Sequence, residues 1–164
     1  MFTKSLTDFA QSITHNRTIA EEIVEDVFIK LWLRRTTATE IENLPVYLYV
    51  AVKNTCLNEI TKKSMELSNR PIEYFENGIY DNETPADTLI NSETLTHVNE
   101  VIDSLPPRCK LIFKLIREDG LNYKAVAEIL NISINTIDNQ MATAVKRISE
   151  ALHVYKPKSK YSKK

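Results

Sequence analysis

The side chains most suited to chemistry lie near the C-terminal end. Asn135, Thr136, Asp138, Asn139, Gln140 and Thr143 form a dense polar run, and Lys146 and Arg147 follow it. Asn and Gln amides bond adenine edges in a bidentate manner in the DNA major groove. Lysine and arginine hold phosphates. Asp138 departs from that chemistry, because a carboxylate repels phosphate and can only accept, for instance from a cytosine amino group. This is recognition rather than bond-making. His15, His97 and His153 are scattered, no nucleophile stands beside a base, and no Gly-rich phosphate loop occurs. No catalytic residue, metal site or cofactor is expected, and the chain does not read as an enzyme.

Recognition of this kind needs a helix held at a fixed angle. Asn122 can cap a short helix at Tyr123–Leu130, with Asn131, Ile132 and Ser133 as the turn. Asn131 stands where the chain needs a left-handed residue, which Asn tolerates better than most. Ser133 can cap a longer helix from Ile134 to about Leu152. Ala127 supplies the small residue at the helix crossing. Val126, Leu130, Ile132 and Ile137 point inward, with Met141 rather than Gln140 as the next packing residue. The unit reads as a helix-turn-helix that binds DNA.

The first half carries a different surface. Thr18 and Glu21 form a capping box. Ile19/Ala20, Ile23/Val24, Val27/Phe28 and Leu31/Trp32 then recur one turn apart as an apolar stripe. Glu22, Glu25, Asp26, Lys30 and Arg34 line the other face, and the helix ends near Arg35. Before it, residues 3–14 form a short helix through Leu6, Phe9, Ala10 and Ile13, expected to lack a partner for part of its face. From Pro45, a helix broken once runs to about Met65, with Lys53, Asn54, Asn58, Lys62 and Lys63 on its polar side.

Composition sets the frame. With 164 residues, 43% hydrophobic, 2 Gly and 6 Pro, the chain favours helices over a loop-rich β fold. The net charge of −1 says nothing about nucleic acid, but its distribution does. Residues 1–65 balance 8 basic against 8 acidic groups, residues 66–84 hold 1 against 5, and residues 85–164 hold 12 against 9. The middle stretch also loses helical periodicity and reads as a flexible acidic linker. Thr84, Pro85 and Asp87 start a new helix through Leu89, Leu95, Val98, Val101 and Ile102. Another follows at about 107–118, ended by Gly120. Lys156, Lys158, Lys160, Lys163 and Lys164 make a basic tail that can meet phosphates. Cys56 and Cys109 lack metal spacing and read as reduced, buried thiols. No signal peptide and no apolar run long enough to span a membrane is present, so a soluble, cytoplasmic protein without membrane insertion is expected. The fold class is all-α: two small helical domains, 1–65 and 85–155, joined by the linker 66–84 and followed by the tail 156–164.

Both halves converge on one family. Ala20–Trp32 resembles the helix by which sigma-70 factors dock on the RNA polymerase clamp. Leu44-Pro45-Val46-Tyr47-Leu48, with Val52-Lys53-Asn54 and Asn58, resembles the adjoining promoter-melting segment. Ile102–Cys109 resembles the start of the C-terminal sigma domain. Gly120–Leu130, with Ile132-Ser133 and Thr136-Ile137, resembles its helix-turn-helix. Order and linker length resemble the extracytoplasmic-function (ECF) group, in a form close to its Bacteroidetes members. Glu25 replaces the usual Gln, Ala125 a common Glu, and Asp138 a basic or polar residue.

The resemblance implies clamp contacts at Glu22, Glu25, Asp26 and Lys30, with Phe28, Leu31 and Trp32 mainly core. It implies contacts to the −10 element at Lys53, Asn54, Asn58, Lys62 and Lys63. It implies reading of the −35 element by Ser133, Asn135, Thr136, Asp138, Asn139, Gln140, Thr143, Lys146 and Arg147. Core RNA polymerase and promoter DNA are the expected partners, with an anti-sigma factor as a further one. The alternative is a stand-alone helix-turn-helix regulator, which has no use for the helix Ala20–Trp32. A helical protein–protein adaptor would leave the caps and polar face of Asn122–Thr143 unexplained.

Overall fold

The computed structural model describes residues 2–67 and 93–154, and among these every regular element is helical. The elements are α1 (Phe2–Thr14), α2 (Arg17–Leu33), a single 3-10 turn at Ala38–Glu40, α3 (Leu44–Leu67), α4 (Glu93–Asp103), α5 (Pro107–Arg117), α6 (Tyr123–Leu130) and α7 (Ile134–Val154). Most of the acidic linker, the helix start at Thr84–Asp87 with Leu89, and the lysine tail lie outside the described residues.

The N-terminal unit is α1, α2 and α3, each packed on the other two. Leu6, Phe9, Ala10 and Ile13 are buried, so these four positions of α1 find partners, while Phe2 in its first turn is left 39% exposed. The α2 cap also differs from expectation. Asn16 Oδ1 accepts the Ile19 amide at 3.0 Å, and helix begins at Arg17, so Thr18 and Glu21 lie inside it rather than forming a capping box. Asn is among the best capping residues, and Glu21 is drawn instead to Arg17, at 2.8 Å. Asn43 caps α3 in the same way, accepting the Val46 amide at 3.2 Å. The helix is unbroken to Leu67. Cys56 is buried and free, its thiol 3.9 Å from the Ala10 carbonyl of α1.

In the C-terminal unit α7 packs on α4, α5 and α6. Pro107 opens α5 in its first turn, where its missing N–H costs nothing. Gly120, at φ +71°, turns the chain toward α6. Lys110 is buried, with its ammonium 2.7 Å from Asp103 at the end of α4. Cys109 is buried and free, as expected.

The two units touch. α3 packs against α6, and one cluster of buried side chains runs through both units, while Leu105, Cys109 and Ala144 form a smaller one in the second.

Candidate nucleic-acid interface

The helix-turn-helix forms from the residues that specify it. Asn122 Oδ1 accepts the Ala125 amide at 2.8 Å and starts α6. Asn131 closes it in the left-handed conformation, φ 54° and ψ 50°. Ser133 Oγ accepts the Thr136 amide at 3.0 Å and starts α7. Val126, Ile137 and Met141 are buried, while Leu130, Ile132 and Ala127 pack half-buried around them. Met141 takes the packing position and Gln140 remains half-exposed.

This packing sorts the polar residues of α7. Asn135, Asp138, Asn139, Thr143, Lys146 and Arg147 are exposed. The hydroxyls of Ser133 and Thr136 lie 2.8 Å apart, so these two residues close the first turn as well as bordering the face. Thr143 donates to the Asn139 carbonyl at 3.0 Å. The Gln140 carbonyl accepts from the Cys109 thiol at 3.3 Å, which ties the middle of α7 to α5. Lys146 is 4.0 Å from Glu150, a separation too loose to fix its ammonium.

On α3, Asn54, Asn58, Lys62 and Lys63 are exposed, and Asn54 and Asn58 share a face one turn apart. Lys63 is 3.8 Å from Glu59. Lys53 differs from its neighbours. It is half-buried, and its ammonium donates to the Ile129 carbonyl of α6 at 2.6 Å. Loss of solvent lowers its pKa. Four residues before it, the Tyr49 hydroxyl donates to Asp119 Oδ2 at 2.6 Å, in the connection between α5 and α6. Burial, then the bond to Asp119, pushes the phenol far above its ordinary range. The periodicity places Tyr49 among the apolar positions of α3, but neither its bond to Asp119 nor that of Lys53 to Ile129 is announced in the sequence, since pairing between distant segments leaves no local pattern.

On α2, Glu22, Glu25 and Lys30 are exposed, and Asp26 pairs with Lys30 one turn on. Trp32 corrects the sequence reading: it is 67% exposed rather than core. Phe28 and Leu31 are half-buried against the cluster. Ile29 and Leu33 are also exposed, so the acidic face of α2 continues into an apolar end. The Arg35 guanidinium lies 4.9 Å from the Trp32 ring centroid. At an exposed site that contact contributes about 0.5–1 kcal/mol, too little to explain why so much apolar surface faces water.

Comparison with known proteins gives these surfaces a common context. The pattern of the family "Sigma-70 region 2" matches residues 2–65, and that of "Sigma-70, region 4" matches residues 97–148. The chain is 25% identical over 138 residues to the ECF RNA polymerase sigma-E factor of Haemophilus influenzae, covering 80% of this chain and 73% of that one. It is 21% identical over 145 residues to the RNA polymerase sigma-H factor of Pseudomonas aeruginosa, covering 84% and 75%. Its fold is similar to that of the sigma factor RpoE solved in complex with the anti-sigma factor NepR from Bartonella quintana, with a TM-score of 0.57, 22% identity and 94% of each chain covered. The first match ends within α3 and the second spans the helix-turn-helix, in the order in which sigma factors carry them; the chain belongs to the sigma-70 family of RNA polymerase sigma factors, in its ECF group.

Proposed function

We propose that this sigma factor uses three helix faces, one to bind polymerase and two to recognise the promoter. Glu22, Glu25, Asp26 and Lys30 on α2 bind the polymerase clamp, with Ile29, Trp32 and Leu33 as the apolar part of the same contact. Asn54, Asn58, Lys62 and Lys63, with Lys53, meet the −10 element, where an asparagine can read an extruded base by its edge. The exposed residues of α7 read the −35 element, with Ser133, Thr136 and Gln140 at its margin. Sigma factors direct initiation while the polymerase does the chemistry, so no catalytic group is required here. The cytoplasm, where the chromosome is transcribed, is the corresponding location. An anti-sigma factor is the further partner, by analogy with the RpoE complex.

The observation that carries this reading is the exposed face of α2. A stand-alone regulator has no use for an acidic stripe ending in an exposed tryptophan, whereas a chain with a protein partner does. Tryptophan is enriched among the residues that dominate binding energy, and the acidic charge steers association with a basic surface. Titration of core polymerase tests it. Glu25→Lys with Asp26→Lys is expected to weaken binding at least tenfold with unchanged far-UV circular dichroism, and Trp32→Ala to weaken it similarly. Undiminished core binding by both variants would place the contact elsewhere. DNA binding with no core affinity at all would leave a stand-alone helix-turn-helix regulator.

A further inference from the structure

Asp138 stands apart from the other aspartates. Asp8 holds Arg17 at 2.7 Å, Asp26 holds Lys30 at 2.5 Å, Asp103 holds Lys110 at 2.7 Å, and Asp119 accepts the Tyr49 hydroxyl at 2.6 Å. Among the described residues, Asp138 is the one aspartate whose carboxylate has no such partner, and it is exposed. Its own helix supplies none. One turn away on α7 stand Ile134, Asn135, Met141 and Ala142, and the nearest cations along it, Lys146 and Arg147, come two turns later. The start of the helix does not call for an acid here either. Ser133 already caps α7. Asp138 is its fifth residue, past the first turn in which the helix dipole favours a carboxylate. The neighbours of Asp138 point outward with it. Asn135, Asp138 and Asn139 are spaced so that they share one exposed face in the first half of α7. The N-terminal residues of a recognition helix are the ones that reach base edges.

We propose that Asp138 selects cytosine at one position of the −35 element. The inference rests on the reading of α7 as the −35-binding helix. An ionised carboxylate only accepts hydrogen bonds. In the major groove cytosine offers the N4 amino group, a donor. Guanine offers N7 and O6, thymine offers O4, and these acceptors repel a carboxylate. Adenine sets its N6 amino group beside the N7 acceptor, so attraction and repulsion oppose each other there. Cytosine is therefore the base whose edge the carboxylate meets with a donor alone. Selection arises as much from rejection of the wrong bases as from the bond to the right one. The acid weakens binding to every sequence through the phosphates, and the bond to N4 compensates only where cytosine is present.

The test presents core polymerase, reconstituted with the full-length chain, with promoters randomised across the −35 region, and counts the transcribed sequences. The wild-type chain is expected to favour cytosine about tenfold over thymine or guanine at one position. Asp138→Ala flattens the preference at that position. Asp138→Asn moves it to adenine, which an amide bonds in a bidentate manner. Preferences at the other positions stay as they are, which separates base reading from loss of fold. Asp138→Asn also raises output from sequences without the cytosine, while the lost bond offsets that gain where cytosine is present. A wild-type chain indifferent to cytosine overturns the proposal. So do variants that change every sequence evenly, since a carboxylate that meets only phosphate or solvent behaves that way. Selection of randomised duplexes by the chain alone is scored in parallel. If no core-dependent initiation occurs, a cytosine preference that depends on Asp138 in this selection sustains the base contact while the sigma-factor reading falls. Its absence there overturns both.

Discussion

Single residues set the chemistry of each surface. Asp138 sits exposed among the residues proposed to read the −35 element, so Asp138→Asn is expected to raise affinity for −35 DNA of mixed sequence several-fold by removing repulsion from the phosphates. An unchanged affinity in an electrophoretic shift assay would mean that Asp138 faces a base rather than the backbone. Replacing both Lys146 and Arg147 with Ala should lower affinity evenly across sequences and reduce the slope of log K against log salt by about 2. Cys56 provides a check at the opposite extreme. Burial pushes its thiol up to about 12, so it stays protonated at pH 8, where a free thiol is partly ionised. A thiol reagent at pH 8 should leave Cys56 unmodified in the folded protein and label it fully in urea.

Helices come next, and here caps and crossings decide. Asn16→Ala should cost about 1 kcal/mol of unfolding free energy and Thr18→Ala much less, because Asn16 holds the first turn of α2. Denaturant titration of the two variants distinguishes this cap from the capping box read in the sequence. Ile137→Ala removes a fully buried side chain at the α6–α7 crossing and should cost about 2–5 kcal/mol. Asn131→Gly should be nearly neutral and Asn131→Ala cost about 1 kcal/mol, since only the left-handed conformation is at stake. The helix-turn-helix is legible in the sequence because each of its signals is local: a cap at Asn122, a left-handed residue at Asn131, a second cap at Ser133. Trp32 is not legible. An apolar stripe shows which face of α2 turns inward, but not how far along α2 its neighbours α1 and α3 reach, and the last turn projects beyond cover.

At the scale of the molecule, the two helical units and their order follow from composition and periodicity, while their contact does not. Ile129 is fully buried and Lys53 half-buried through partners more than seventy residues away, and nothing in the spacing of either helix announces them. The central claim, that this chain directs polymerase to promoters through the α2 face, is tested most directly by transcription with core RNA polymerase on a promoter library. The measurement compares no added protein, the wild-type chain, and the Glu25→Lys, Asp26→Lys variant. Promoter-specific transcripts are expected with the wild-type chain alone. Transcripts that persist undiminished with the charge-reversed variant, or no core-dependent initiation by the wild-type chain, would contradict it.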